Sequence, residues 1–191
     1  MAAASLNSVV SAIQAKFQVA QKTEFRGETT LTVERTEIKD LCAFCKDTLG
    51  FAMLLDLSGV DNFGTEPRFE VVYELYHLDT DAHLRLKIAV SEDALEVPSV
   101  ITIWPTADWH EREAFDMYGI TFTGHPDLRR ILMWDGYPFF PLRKDFPLAG
   151  RASDMPDVAF SKAAPLAGGP FVTVPSTATT KDREPRSREQ S

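Results

Sequence analysis

The sequence lacks the features that define several large protein classes. Its 191 residues include only two cysteines, which fits a reducing compartment and rules out a disulfide framework. No run reaches the roughly 18 apolar residues that a membrane-spanning helix needs, and the first residues lack the basic start of a signal peptide. Lys and Arg number 20 against 28 Asp and Glu, a net charge of −8. This excess of acidic residues argues against nucleic-acid binding. It also argues against binding to anionic lipids through a cluster of basic residues.

The hydrophobic periodicity predicts an α+β fold. Apolar spacing of three and four residues predicts one helix over about 5–20 and a second from Thr36 to just before Gly50. Alternating or continuous apolar runs predict strands at 31–34, 51–57, 68–78 and 83–90, with a turn at 79–82. A short helix over 108–118 follows, with an Asp108–Glu111 capping box and Gly119 as its stop. This order predicts a two-layer domain with helices packed on one face of a mixed β-sheet.

The C-terminal part of the chain has a different composition. Four prolines between residues 122 and 148 exclude a long helix or a central strand. We therefore predict an α+β domain over 1–121 and an extended, proline- and aromatic-rich partner-binding segment over 122–160. Residues 161–191 have little apolar content, and we expect them to be disordered or to wrap around a partner.

Cys42 and Cys45 have the C-x-x-C spacing of redox and metal sites. A reactive thiolate needs a helix N-terminus or a nearby cation, whereas both thiols fall in the middle of the predicted second helix. Core packing is therefore the favoured role. Two thiolates also fall short of the four or so that an iron–sulfur cluster takes. A thiol oxidoreductase remains an alternative.

The acidic residues near 110 resemble other motifs only in part. His110-Glu111 begins like the H-E-x-x-H zinc helix, but Ala114 stands where the second histidine is required. The spacing of Gly119 and Gly124 fits a phosphate loop, but His125-Pro126 replaces its Lys and Ser/Thr. Ion-paired scaffolding with neighbouring arginines is favoured over acid–base catalysis. The alternative is a stand-alone metal hydrolase that uses His110, Glu111, Glu113 and Asp116.

A long continuous motif carries a family resemblance. Residues 111–120 read EREAFDMYGI, residues 124–132 read GHPDLRRIL, and WDGY and PLRKDFPL follow at 134–137 and 141–148. This pattern closely resembles the C subunit of NADH–quinone oxidoreductase, respiratory complex I. The close match covers about residues 98–148, and the earlier residues match in the order of elements.

The resemblance implies a non-catalytic peripheral-arm subunit of a proton-translocating complex that passes electrons from NADH to a quinone. The complex would use FMN, iron–sulfur clusters, NADH and a quinone, none of them bound by this chain. The partners would be the D and B subunits, with no nucleic acid and with membrane contact only through the complex. The subunit would lie at the cytoplasmic side of a bacterial inner membrane, or at the equivalent membrane of an organelle.

Exposed aromatic and arginine side chains on a stiff segment are typical of protein interfaces. The resemblance makes the motif the contact with partner subunits. The alternatives are the same building block in a ferredoxin-dependent NDH-type complex or in a membrane-bound hydrogenase. The predicted interface residues are Glu111, Arg112, Asp116, His125, Arg129, Arg130, Trp134, Tyr137, Arg143 and Asp145.

Overall fold

The computed structural model describes residues 6–148. The chain divides into two compact units, the first ending at Asp135 and the second beginning at Gly136. The expectation for residues 161–191 lies outside the described residues. Within residues 6–148, no helix is long and apolar enough to cross a bilayer.

Within its described residues, the first unit contains three α-helices and seven β-strands. The helices are α1 (Leu6–Gln14), α2 (Ile38–Asp47) and α3 (Ala107–Tyr118). The strands are β1 (Val19–Phe25), β2 (Glu28–Val33), β3 (Met53–Asp61), β4 (Phe69–His77), β5 (Ala82–Val90), β6 (Glu96–Pro98) and β7 (Thr121–Thr123). Two short 3₁₀ turns, Arg35–Glu37 and Glu92–Ala94, precede α2 and β6.

The main sheet is mixed, as predicted. Its strand order is β1-β2-β5-β4-β3, with β2 and β5 parallel and the other pairs antiparallel. Strands β6 and β7 form a separate parallel pair. The α+β prediction is therefore confirmed, although the sequence patterns revealed neither β1 nor the β6–β7 pair.

The two faces of the main sheet differ in chemistry. Alternate residues of β5, such as Leu84 and Leu86, are fully buried, and they form one core with the apolar faces of α1 and α2. On the other face, Arg85 pairs with Glu74 and Lys87 Nζ lies 3.2 Å from Glu70 Oε2. This division is what places the helices on one side of the sheet.

The predicted first helix is too long, and this prediction is wrong at its C-terminal end. Helix α1 ends at Gln14, and Val19–Phe25 forms strand β1. Arg26 and Gly27 both have positive φ, 52° and 83°, which is the geometry of a tight two-residue hairpin turn. That turn returns the chain into β2, so pairing with β2 overrides the helical spacing of residues 15–20.

Two other boundaries differ from prediction. The strand predicted at 51–57 runs from Met53 to Asp61, because Gly50, at φ 82°, turns the chain after α2. The predicted Asp108–Glu111 capping box is wrong, since Thr106 precedes α3 and gives no side-chain cap. Gly119 does stop α3 as predicted, at φ 81°, with its N–H donating to the Phe115 carbonyl.

The second unit is described over residues 136–148, where no helix or strand is assigned. Aromatic contacts organise it: the Phe139 ring lies 5.6 Å from Tyr137 and 6.0 Å from Phe146 between centroids. The Arg143 guanidinium lies 4.7 Å from the Phe140 ring centroid. Aromatic and cation–π contacts thus take the place of regular backbone pairing in this proline-rich stretch.

A candidate partner-binding surface

Asp116 connects helix α3 to the segment that follows β7. Its side chain is fully buried. Oδ2 accepts hydrogen bonds from three consecutive backbone N–H groups, those of Ile131 at 3.0 Å, Leu132 at 2.7 Å and Met133 at 2.8 Å. Three donors that converge on one carboxylate oxygen hold residues 131–133 in a single conformation.

Arg130 completes this cluster. Its Nη1 donates to Asp116 Oδ1 at 2.5 Å and to the Asp116 carbonyl at 3.0 Å, and the Arg130 side chain is 12% exposed. Burial alone would raise the pKa of Asp116, but the three N–H donors and Arg130 outweigh it and hold that pKa below the ordinary aspartate value. Asp116 therefore stays ionised as a structural anion.

Glu111 is also buried and is used internally. Oε2 accepts from Ser99 Oγ at 2.6 Å and Oε1 from the Val100 N–H at 2.7 Å. Burial raises the pKa of Glu111, although these two hydrogen bonds act in the opposite direction. Glu111 thus holds the chain after β6 against α3. The sequence predicted a different role for it, in the capping box of that helix.

Arg112 lies one turn before Asp116 on α3. The residue is 7% exposed. Its Nε donates to the Arg129 carbonyl at 3.2 Å, and its guanidinium carbon lies 5.0 Å from the centroid of the Trp109 ring. Arg112 therefore supports both Trp109 and the backbone at Arg129.

His125 packs at the other end of α3. Its side chain is fully buried, with Nε2 3.2 Å from Asp108 Oδ1 but without hydrogen-bond geometry. Nδ1 accepts from the Asp127 N–H at 3.1 Å. His125 thus organises the turn that leads into Leu128 and Arg129.

The remaining predicted interface residues differ in exposure. Arg129 is open to solvent, with a side-chain exposure of 66% and its Nε 3.0 Å from Asp127 Oδ2. Asp145 is exposed, Trp134 and Arg143 are half-buried, and Tyr137 is buried. Of the ten residues, the structure brings Asp116 with Arg130, and Arg112 with Arg129, into direct contact.

The features behind the alternative enzymatic predictions are separated from one another or buried. His110 Nδ1 lies 3.2 Å from Asp56, while Glu111 and Asp116 have the separate partners given above. Across residues 6–148, no three His, Cys, Asp or Glu side chains are grouped so that they could hold a metal ion. Cys42 and Cys45 are fully buried, and burial raises the pKa of Cys45 to about 12. The thiols are core residues, since a reactive cysteine needs an accessible thiolate.

Sequence reasoning missed three residues around this cluster. Trp109 and Leu132 are large apolar side chains with 63% and 60% exposure, and Ser99 is the buried partner of Glu111. Trp109 precedes the quoted motif, and Leu132 lies in the predicted partner-binding segment but was not among the predicted interface residues. Their exposure depends on the tertiary fold.

Comparison with known protein families agrees with the resemblance carried by the sequence motif. The family described as "Respiratory-chain NADH dehydrogenase, 30 Kd subunit" matches residues 31–152. The chain is 44% identical over 146 residues to the C subunit of the NADH-quinone oxidoreductase of Geotalea uraniireducens, a match that covers 75% of this chain and 89% of that protein. It is 51% identical over 126 residues to the second C subunit of the same enzyme in Rhizobium etli, which covers 65% of this chain and 67% of that protein.

Two solved structures share the fold. One is described as "Nqo5 of the trypsin-resistant fragment (1-134)" and matches with a TM-score of 0.57 and 31% identity, covering 64% of this chain and 98% of that one. The other is a chain of "the membrane-bound sulfane sulfur reductase (MBS), an archaeal respiratory membrane complex". It matches with a TM-score of 0.63 and 26% identity, covering 74% of this chain and 85% of that one.

Proposed function

The chain belongs to the family of the respiratory-chain NADH dehydrogenase 30 kDa subunit, and from this premise we propose how it acts within the complex. It is a peripheral subunit of NADH–quinone oxidoreductase and contributes to activity as part of that complex. We propose that the complex translocates protons and that the isolated chain has no redox activity. Its role is then to hold neighbouring subunits in the geometry that electron transfer requires.

The Asp116 cluster supports a structural role. Asp116, Glu111, Arg112 and Arg130 all use their charged groups for bonds inside the chain. A catalytic carboxylate would need to face substrate or solvent, whereas these carboxylates are fully buried. The motif therefore acts by shaping a surface, and we propose that FMN, iron–sulfur clusters and quinone are bound by other subunits.

We further propose that the D and B subunits are the direct partners and that residues 122–160 supply the contact. The complex would lie at the cytoplasmic side of a bacterial inner membrane, or at its organelle equivalent. Within the interface set, we assign contact to the exposed Arg129 and Asp145 and to the half-buried Trp134 and Arg143. In the first unit, Glu111, Arg112, Asp116, His125 and Arg130 would position the contact residues, and in the second unit the buried Tyr137 would do so.

A second candidate function comes from the sulfane sulfur reductase match. That chain belongs to a respiratory complex with a different electron acceptor, and its likeness to this chain supports the alternative of an equivalent building block in a ferredoxin-dependent complex or a membrane-bound hydrogenase. The higher identity to the NADH-quinone oxidoreductase relatives, 44% over 146 residues in one case against 26% for the reductase chain, favours NADH–quinone oxidoreductase.

Affinity purification from detergent-solubilised membranes tests the proposal. A tagged full-length chain should co-purify with the NADH-oxidising subunits and with NADH-dependent quinone reduction, and the D subunit should cross-link to it. Co-purification with hydrogenase or sulfur-reductase subunits, without NADH oxidation, would support the second candidate. Elution of the chain alone would contradict both.

The adjacent residues Arg129 and Arg130 allow contact with a partner to be distinguished from support within the chain. We predict that Arg130→Ala lowers the stability of the isolated chain, because it leaves the buried Asp116 carboxylate without its cation, at a cost of about 2–5 kcal/mol. Arg129→Ala removes an exposed side chain, so we expect an unchanged melting temperature and a reduced amount of intact complex on native gels. Intact complex with Arg129→Ala at wild-type levels would contradict its contact role.

A further inference from the structure

His125 is a buried histidine whose two ring nitrogens face different groups. Its side chain has no exposure to solvent. Nδ1 accepts a hydrogen bond from the backbone N–H of Asp127 at 3.1 Å, and Nε2 lies 3.2 Å from Asp108 Oδ1. A backbone N–H can only donate, so Nδ1 carries no proton in this arrangement and the neutral imidazole has its proton on Nε2.

The bond between Asp127 and His125 stabilises the turn that follows β7. Gly124 precedes this turn at φ 84°, and Pro126 has no N–H, so Asp127 provides the next backbone donor after His125. Asp127 is also bonded to Arg129. Its carbonyl accepts from the Arg129 N–H at 3.1 Å, and its Oδ2 lies 3.0 Å from Arg129 Nε. The His125–Asp127 bond therefore helps to fix the position of Arg129 as well.

Helix α3 presents two carboxylates to the His125 ring. Asp108 lies beside Nε2, and Glu111 is near enough to interact with a charge on the ring. Burial raises the pKa of Glu111, and a positive charge on His125 acts in the opposite direction. On the turn itself, the Asp127 carboxylate is paired with Arg129. A protonated imidazole is therefore attracted to Asp108 and Glu111, and this attraction keeps it against α3.

We propose that His125 is a pH-sensitive switch for the turn at residues 125–129. The neutral ring holds the turn through the Asp127 N–H. When Nδ1 takes up a proton from solvent, this acceptor becomes a donor, two N–H groups face each other, and the hydrogen bond is lost. Because Asp108 and Glu111 attract the charged ring, the turn moves away and the ring stays in place.

The switch is a property of the chain itself. Only its effect on a partner rests on the proposed function, in which the exposed Arg129 is a contact residue. Release of the turn separates the Asp127–Arg129 pair from His125, so contact through Arg129 weakens as the pH falls.

Nuclear magnetic resonance of the isotopically labelled full-length chain tests the switch. At about pH 8, the nitrogen chemical shifts of His125 should be those of an unprotonated Nδ1 and a protonated Nε2. Between about pH 8 and about pH 5, the range in which histidine ordinarily becomes charged, both should change to the shifts of an imidazolium. Over the same range, protection of the Asp127 amide against hydrogen exchange, corrected for the intrinsic rate at each pH, should fall about tenfold, as loss of a hydrogen bond does.

Two variants connect this pH effect to named groups. His125→Asn keeps a side-chain acceptor for the Asp127 N–H, as in an Asx turn, but has no charge to gain. Protection of Asp127 should then no longer depend on pH. Asp108→Asn removes a carboxylate that favours the charged ring, so the loss of protection should occur at a lower pH than in the wild type.

The chain offers a matched control for each variant. His77 Nδ1 accepts from the Asp79 N–H at 3.2 Å, which is the same His-x-Asp arrangement. His77→Asn therefore controls for the loss of a histidine and should leave the Asp127 profile unchanged. His110 Nδ1 lies 3.2 Å from Asp56 Oδ1, so Asp56→Asn removes the same charge from another His–Asp pair and should also leave that profile unchanged.

Several outcomes would overturn the switch. A proton on Nδ1 at about pH 8, protection of Asp127 that stays constant down to about pH 5, or the same loss of protection in His125→Asn would each refute it. An Asp108→Asn profile identical to that of the wild type would refute the role of the carboxylate. If thermal denaturation shows that His125→Asn does not fold, the wild-type ring shifts and the Asp108→Asn profile decide. If the switch operates but the chain is absent from the purified complex, the proposed function fails and the switch stands.

Discussion

Asp116 shows how much structure one buried carboxylate can specify. Its two oxygens receive Arg130 and three consecutive backbone N–H groups, so a segment without helix or strand has a defined path. The sequence indicated ion-paired scaffolding from the carboxylates and arginines near residue 116. It did not indicate the three N–H donors, because backbone groups carry no residue-specific pattern.

Replacement of Asp116 should destabilise the chain. We predict a loss of roughly 3–5 kcal/mol in the free energy of unfolding for Asp116→Ala, because a buried guanidinium and three N–H groups lose their acceptor. Asp116→Asn keeps one acceptor oxygen and should cost less. Urea denaturation measures both, with the exposed Asp93→Asn as the control.

The pKa of Asp116 predicts that the stability of the chain depends on pH. The folded pKa of Asp116 lies below its unfolded value, which is about 3.9 for an aspartate. Ionised Asp116 therefore stabilises the fold above about pH 4, and this contribution is lost as the pH falls through the folded pKa. The difference in unfolding free energy between wild type and Asp116→Asn should shrink on acidification below about pH 4, and a difference that grows there would contradict this assignment.

At the scale of elements, α3 depends on its fit against the edge strand β3. The side chains of Tyr118 and Ile120, at the end of α3 and beyond it, pack against Gly59 of β3. A Cβ added at Gly59 would lie 2.7 Å from Tyr118 Cδ2 and 3.2 Å from Ile120 Cδ1. The glycine at position 59 is therefore required by the close approach of these two side chains to the face of β3.

We predict that Gly59→Ala lowers stability by about 1–3 kcal/mol, as overpacking of a well-filled contact does. Ser58→Ala, on the opposite face of the same strand, should have little effect. Combining Gly59→Ala with Tyr118→Ala should cost less than the sum of the two single changes, because removal of the ring makes room for the added methyl group. Thermal denaturation gives all four values, and strict additivity would contradict direct packing.

At the scale of the whole molecule, the core belongs to the first unit. The buried core cluster extends from Val9 to Phe122, and the first unit ends at Asp135. It therefore contains its own hydrophobic core and the complete Asp116 cluster. The predicted partner-binding segment 122–160 begins inside this unit, since Phe122 is core and residues 131–133 bind Asp116.

We therefore predict that a fragment of residues 1–135 folds alone and unfolds cooperatively, with a melting temperature close to that of the full chain. A fragment of residues 1–118 should fail to fold, because it lacks Ile120, Phe122 and the donors to Asp116. Circular dichroism and thermal denaturation distinguish the two. A disordered 1–135 fragment would show that the second unit is needed for folding.

The sequence by itself determined the α+β class, most strands of the main sheet, the stop at Gly119 and the family. These features depend on local periodicity, on turn residues and on an uninterrupted motif, all of which are visible along the chain. Strand β1 was missed because its pairing with β2, through the Arg26–Gly27 turn, overrides local helical spacing.

Only the tertiary structure decided which motif residues are internal and which are exposed. Glu111, Arg112 and Asp116 look like surface charges in a linear reading, yet they are buried, while Trp109 in the first turn of α3 is exposed. Burial of a charge is stable when its hydrogen-bond partners converge on it. Those partners, from Ser99 to Met133, are brought together by the fold and not by their spacing in the chain.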